Sequence, residues 1–150
     1  YPVIIMVAVA IIFSFLLSKT RIGRYTYAIG SNEEAARLSG IKVNQVKIVS
    51  YVICGLLAGL VGIILASRMV TSQPNSAVGY ELNAIAASVI GGTSLMGGIG
   101  TVGGTVIGSF IIGILTVGLT MAGANYFMQQ IVIGLVVIGA VTVDQLKGRK

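Results

Sequence analysis

The chain has 150 residues, of which 55% are hydrophobic and 9% charged, with a net charge of +6 and a mean hydropathy of +0.98. No charged residue stands between Glu81 and Asp144, a run that a soluble domain does not sustain, so the composition specifies an integral membrane protein. The basic balance alone would suit nucleic acid, but the Lys and Arg residues sit at the ends of apolar runs and no basic stripe alternates with stacking aromatics, which argues against that partner.

The chain opens on Tyr1-Pro2 without an initiator Met and is apolar from Val3 to Leu17, about 15 residues against the roughly 20 of a full crossing. Residues 1–17 are expected to be a truncated transmembrane helix within a longer protein. A signal peptide fits poorly, since the basic residues follow the apolar run and do not precede it. Residues 18–47 form a polar segment, Ser18 to Lys47, with six of the ten basic residues, and the positive-inside rule places it in the cytoplasm. Within it, Gly30-Ser31-Asn32-Glu33-Glu34-Ala35-Ala36-Arg37-Leu38-Ser39-Gly40 reads as a short, sharply bounded helix. Ser31 is expected to cap it, with Glu34 reaching back in a reciprocal capping box, and Gly40 suits a left-handed C-terminal cap. Glu33 and Glu34 favour the positive end of the helix dipole. Two turns of helix are unstable alone, so this one needs a surface to pack on, either its own membrane domain or a groove on another protein.

Residues 48–143 are read as membrane helices. Val46 to Ser67 is a complete span with Gly55, Gly59 and Gly62 on a face suited to close helix packing. Met69 to Asn83, with Gln73-Pro74-Asn75-Ser76, reads as an outer loop. Leu82 to Ile90 begins a second crossing that runs into Gly91-Gly92-Thr93-Ser94-Leu95-Met96-Gly97-Gly98-Ile99-Gly100-Thr101, too glycine-rich for a regular helix. Irregular backbone at membrane depth has to be buried in protein or line a watery cavity, so this segment is expected to be a broken helix. Val102 to Met121 is a span with Gly100, Gly104 and Gly108 at four-residue spacing. Ala122 to Gln130 is expected to be a turn, and Ile131 to Val143 a last span leading to the tail 144–150 with Lys147, Arg149 and Lys150. Four crossings between two cytoplasmic segments satisfy the charge rule.

The single Cys54 has no pairing partner in the chain and reads as a small buried residue. Gly98-Ile99-Gly100-Thr101-Val102-Gly103 matches a dinucleotide fingerprint, but it lacks the surrounding parallel sheet, a downstream acid and a phosphate-loop lysine. The chain has no His and no paired carboxylates, so catalytic and metal chemistry find no candidates. Gly91, Gly92, Thr93, Ser94, Asn125, Phe127, Gln129 and Gln130 are the candidates for lining a solute path, with Tyr80 and Tyr126 offering further ring faces. For each polar one the competing role is to join helices or sit at the membrane interface. Tyr80 and Glu81 are candidates for contact with an external protein, Glu81 being the acid nearest the outer surface. A proton-carrier role for it lacks the further titratable groups that relays require.

The run Thr20 to Ile41 resembles the cytoplasmic loop of the ribose-type permeases, the membrane subunits of bacterial sugar ATP-binding-cassette importers. Gly79-Tyr80-Glu81-Leu82-Asn83-Ala84-Ile85-Ala86-Ala87, Gly91-Gly92-Thr93-Ser94 with Gly97-Gly98-Ile99-Gly100, and Gln129-Gln130-Ile131-Val132-Ile133-Gly134 follow in that family's order. Ile99 stands where the family usually carries arginine, and Val117 where asparagine often precedes Gly118. The resemblance implies an all-α polytopic transmembrane domain, the C-terminal half of such a permease in the bacterial inner membrane. It implies that the 31–40 helix is a coupling helix docked on a separate ATPase subunit that holds ATP and magnesium, with no cofactor in this chain. The implied partners are a second permease subunit, an extracytoplasmic solute-binding protein, a monosaccharide and the lipid bilayer. Two alternatives stay open: a permease for branched-chain amino acids, and a structural membrane subunit that anchors a soluble partner.

Overall fold

The computed structural model describes residues 1–69 and 77–148. Seven helices follow one another, with no strand among the described residues: α1 Pro2–Lys19, α2 Arg21–Ser31, α3 Glu33–Leu38, α4 Val43–Met69, α5 Tyr80–Ile90, α6 Val102–Met121 and α7 Tyr126–Gly148. Four of them, α1, α4, α6 and α7 over Tyr126–Leu146, are long and apolar enough to cross a membrane. The protein is an all-α polytopic membrane domain. Its contacts divide it into two units, Tyr1–Val78 and Gly79–Lys150.

In the first unit, single extended residues separate α1 from α2 and α2 from α3. Thr20 ends α1 with its amide on the Leu16 carbonyl and caps α2 by accepting from the Gly23 amide at 3.4 Å. Its hydroxyl also donates to the Leu16 carbonyl at 2.6 Å. The corner is tight enough that a Cβ on Gly23 would fall on the Leu17 carbonyl. Helix α2 therefore occupies much of the polar segment that the sequence suggested was loop around one short helix. Its entry is set by Thr20, a favoured N-cap residue type. Asn32 repeats the arrangement: its amide closes α2 on the Ala28 carbonyl, and its side-chain Oδ1 accepts from the Ala35 amide at 3.0 Å to open α3. The capping residue is thus Asn32, not Ser31, which is the last residue of α2. The reciprocal Ser31–Glu34 box does not form, because α2 continues one residue into the stretch assigned to the short helix. Helix α4 then runs 27 residues, about 40 Å at 1.5 Å per residue. Among the described residues no atom lies within 4 Å of a Cβ built on Gly55, Gly59 or Gly62. Cys54 is exposed, contrary to the buried position expected of it.

In the second unit, α5 is wedged against α6 and α7. Ala86, Ala87, Ile112 and Ile133 form the buried core, flanked by Ile90, Leu115 and Val137. The small residues of α5 meet the glycines of α6: a Cβ on Gly108 would fall on the Ala87 carbonyl, and one on Gly104 on the Gly91 carbonyl. The four-residue glycine spacing read in the sequence is this contact, main chain against main chain. Helix α5 spans 11 residues, about 16 Å or half the hydrocarbon thickness. It ends in a Schellman turn at left-handed Gly92, whose amide bonds to Val89 while Thr93 bonds to Ser88. Residues 91–101 are irregular, as expected of a broken crossing, and Thr101 then caps α6 by accepting from the Gly104 amide at 3.1 Å.

Two boundaries differ from expectation. The turn expected over Ala122 to Gln130 is confined to residues 122–125, closed by left-handed Gly123, and Tyr126 to Gln130 already belong to α7. The segment read as a loop to Asn83 becomes α5 at Tyr80, and Gln73-Pro74-Asn75-Ser76 lies outside the described residues.

Gly108→Leu is expected to force α5 from α6, lowering the protein's stability by about 1–3 kcal/mol as overpacking does. Gly113→Leu, where a Cβ meets nothing within 4 Å, is expected to be neutral. Thermal unfolding of both variants in detergent checks the contrast.

Candidate functional site

Helix α3 is short, and its geometry is fixed at both ends. Behind it stands the Asn32 cap, and ahead of it a complete Schellman motif: left-handed Gly40 bonds to Arg37 at 3.0 Å and Ile41 to Ala36 at 3.1 Å. The left-handed cap at Gly40 is the one expected from the sequence. Ala36 and Val43 are buried, anchoring the inner face of the helix. A crosslink holds it to the next helix: Lys47 Nζ of α4 donates to Glu33 Oε2 at 2.7 Å. The hydrogen bond from Lys47 and its charge hold the Glu33 carboxyl below its ordinary value of 4.5. The outer face carries Leu38 at 89% exposure beside the exposed Glu34 and Arg37. A polar notch lined by Arg37, Ile41, Lys42, Asn44 and Gln45 adjoins it. Gly30 and Ser31 close α2, and Ser39 donates its hydroxyl to the Ala35 carbonyl at 2.9 Å.

The path-lining candidates do not converge. Gly91, Gly92, Thr93 and Ser94 lie where Ser94 Oγ donates to Asp144 Oδ2 at 2.7 Å, near the charged end of α7. Asn125, Phe127, Gln129 and Gln130 lie at the other end of α7. There Gln129 Nε2 donates to the Thr120 hydroxyl and the Ala124 carbonyl, both at 3.2 Å, joining α7 to α6. Gln130 Nε2 donates to Tyr126 Oη at 2.8 Å, and the Tyr126 and Phe127 rings meet edge to face at 6.1 Å. Gly79 is packed against Gln130 and Tyr126, so Tyr80 and Glu81 belong to this same end. Asp144 lies fourteen positions after Gln130 on α7, about 21 Å along the helix. The two groups therefore mark the two ends of one transmembrane layer.

The family of branched-chain amino acid transport system permease components matches residues 2–141. The chain belongs to this permease family. Over 146 residues it is 51% identical to the ribose import permease protein RbsC of Escherichia coli strain K12, covering 97% of this chain and 46% of that protein. The L-arabinose transport system permease protein AraH of the same strain is 47% identical over 97% of this chain and 44% of its own length. The xylose transport system permease protein XylH of Haemophilus influenzae is 43% identical over 100% of this chain and 40% of its own. The permease chain thus spans less than half the length of these relatives. No solved structure matches it.

Two features of the site escaped sequence reasoning. Glu33 and Lys47 are 14 residues apart on different helices, and Ser94 and Asp144 are 50 apart; no local spacing signals either pair. The Glu33–Lys47 tie has a pH signature. A carboxyl lowered in the folded state contributes stability that is complete above its unfolded value and is lost as the pH falls through the folded one. Lys47→Met is expected to return Glu33 to the ordinary carboxylate range. Infrared titration with isotope-labelled glutamate, using Glu33→Gln to assign the band, is the check.

Proposed function

We propose that this permease chain is part of the membrane subunit of a bacterial ATP-binding-cassette importer for a monosaccharide, residing in the inner membrane. In this reading α3 is the coupling helix. It docks on a cytoplasmic ATPase subunit, which holds ATP and magnesium, and passes that subunit's motion to the membrane helices. The observation that carries the reading is Leu38, almost fully exposed on a helix that its caps, buried Ala36 and the Glu33–Lys47 ion pair set in place beside α4. An apolar side chain presented from a charged surface suits a pocket on a protein partner, with Glu34, Arg37 and Lys42 as the polar rim. Such a mount suits a part that conveys displacement.

The names of the relatives support a pentose or similar sugar as cargo. The family description favours a second reading, a branched-chain amino acid. The absence of any charge between Glu81 and Asp144 favours the neutral solute, since a zwitterion calls for charged or strongly polar partners along its path. Thr93, Asn125, Phe127, Gln129 and Gln130, with the Gly91-Gly92 backbone, are assigned to the two mouths of that path. Tyr80 and Glu81 are assigned to the face that receives an extracytoplasmic solute-binding protein. A second permease subunit completes the pathway.

Reconstituting the intact permease with its ATPase and binding protein tests this. Leu38→Asp places a charge where an apolar pocket is expected and should lower uptake and stimulated hydrolysis about tenfold or more, a hot-spot effect. Arg37→Ala and Glu34→Ala should produce smaller losses, with membrane insertion normal in all three. Unchanged uptake and hydrolysis in Leu38→Asp would make the segment a solvated connector and overturn the mechanism.

A further inference from the structure

Asp144 is the only acidic residue after Glu81, and it stands close to the C-terminal end of α7, where the helix dipole disfavours a negative charge. Its position calls for a local compensation. The compensation is the Ser94 hydroxyl, which donates to Asp144 Oδ2 at 2.7 Å from 50 residues away. A hydroxyl-to-carboxylate bond of this kind is among the stronger neutral–ionic contacts.

Ser94 is also the knot of a small closed lobe. Its amide donates to the Ile99 carbonyl at 3.0 Å, its carbonyl accepts from the Gly97 amide at 3.2 Å, and its hydroxyl accepts from the Met96 amide at 3.3 Å. Gly97 and Gly98 are left-handed at the bend, and left-handed Gly92 lies just before the lobe. Met96 is 77% exposed at the tip, with Leu95 and Ile99 also exposed. The lobe is thus a self-bonded unit on glycine joints, fastened to α7 through the Ser94 side chain. The single proton of Ser94 Oγ is spent on Asp144, so this hydroxyl is not free to donate to a solute.

We infer that Ser94 and Asp144 are a positioning pair that fastens the 94–99 lobe to α7 and sets the inner mouth of the transport path, with Ser94 holding the lobe and not the solute. The inference rests on the transport reading for its last step and on geometry alone for the fastening. It predicts that the pair governs how fast the path cycles and leaves solute recognition alone.

The test uses the intact permease, with native cysteines replaced and spin labels at Met96 and Leu146, both exposed positions. The label-to-label distance distribution is expected to be narrow in the parent. It should broaden in Ser94→Ala and in Asp144→Leu, no further in the double variant than in the broader single one, and stay narrow in Ser94→Thr, which keeps the hydroxyl. With ATPase and binding protein present, Ser94→Ala should lower the maximal uptake rate about tenfold, the scale of losing a hydrogen bond to a charged group. The half-saturating concentration of loaded binding protein and the sugar selectivity should stay at the parent values. An unchanged distribution in both single variants overturns the fastening. A shift in selectivity or half-saturation overturns the assignment and returns Ser94 to solute contact. Should the parent lack ATP-driven uptake, the transport reading fails on its own, and the distance measurement still decides the fastening.

Discussion

A helix end leaves backbone amides and carbonyls without intrahelical partners, a cost highest at membrane depth, and the helix ends of this chain find those partners locally. Thr20 and Asn32 each close one helix with the main chain and open the next with the side chain. Gly40, Gly92 and Gly123 close α3, α5 and α6 with paired amide-to-carbonyl bonds, and Thr101 opens α6. Because the breaks are satisfied locally, the chain can turn at sharp corners, and its short helices α3 and α5 survive without the length that isolated helices require.

That economy explains how much of the fold was legible. Apolar length gave the long helices, the glycine cluster gave the interruption of the crossing that begins at Leu82, and the spacing of Gly104 and Gly108 gave the close face of α6. Gly40 was legible because a left-handed cap needs a residue type that stands out in sequence. Ser31 and Asn32 were not separable, since both are good caps and the choice depends on where α2 ends, which no local signal marks. Helix α2 was obscured by its charges: a polar segment with Ile22 and Ile29 on one face looks like loop when composition is the guide. Tyr126 to Gln130 carry no charge, but their polar side chains beside Ala122-Gly123 looked like a turn, although they begin a helix.

The candidate site was legible by residue type and not by arrangement. Polar groups near the glycine cluster and near Gln129-Gln130 look like one inventory in sequence; in three dimensions they occupy opposite ends of α7. The structure also divides their duties. Gln129 joins two helices and Ser94 meets a carboxylate, the bland alternative that any polar residue in a membrane protein carries. Leu38 stands out in the opposite sense, as an apolar side chain almost fully exposed between the charged residues of α3.

The approach of α5 to α6 through Gly91, Gly104 and Gly108 has a mechanical consequence. Side-chain interfaces can yield by changing rotamer, letting one helix slide while the other stays. Where carbonyl groups rest directly on glycine backbone there is no rotamer to change and no slack to take up. A displacement applied to α6 is therefore carried by α5 without slip, and the compliance of this half of the protein has to reside in its glycine joints.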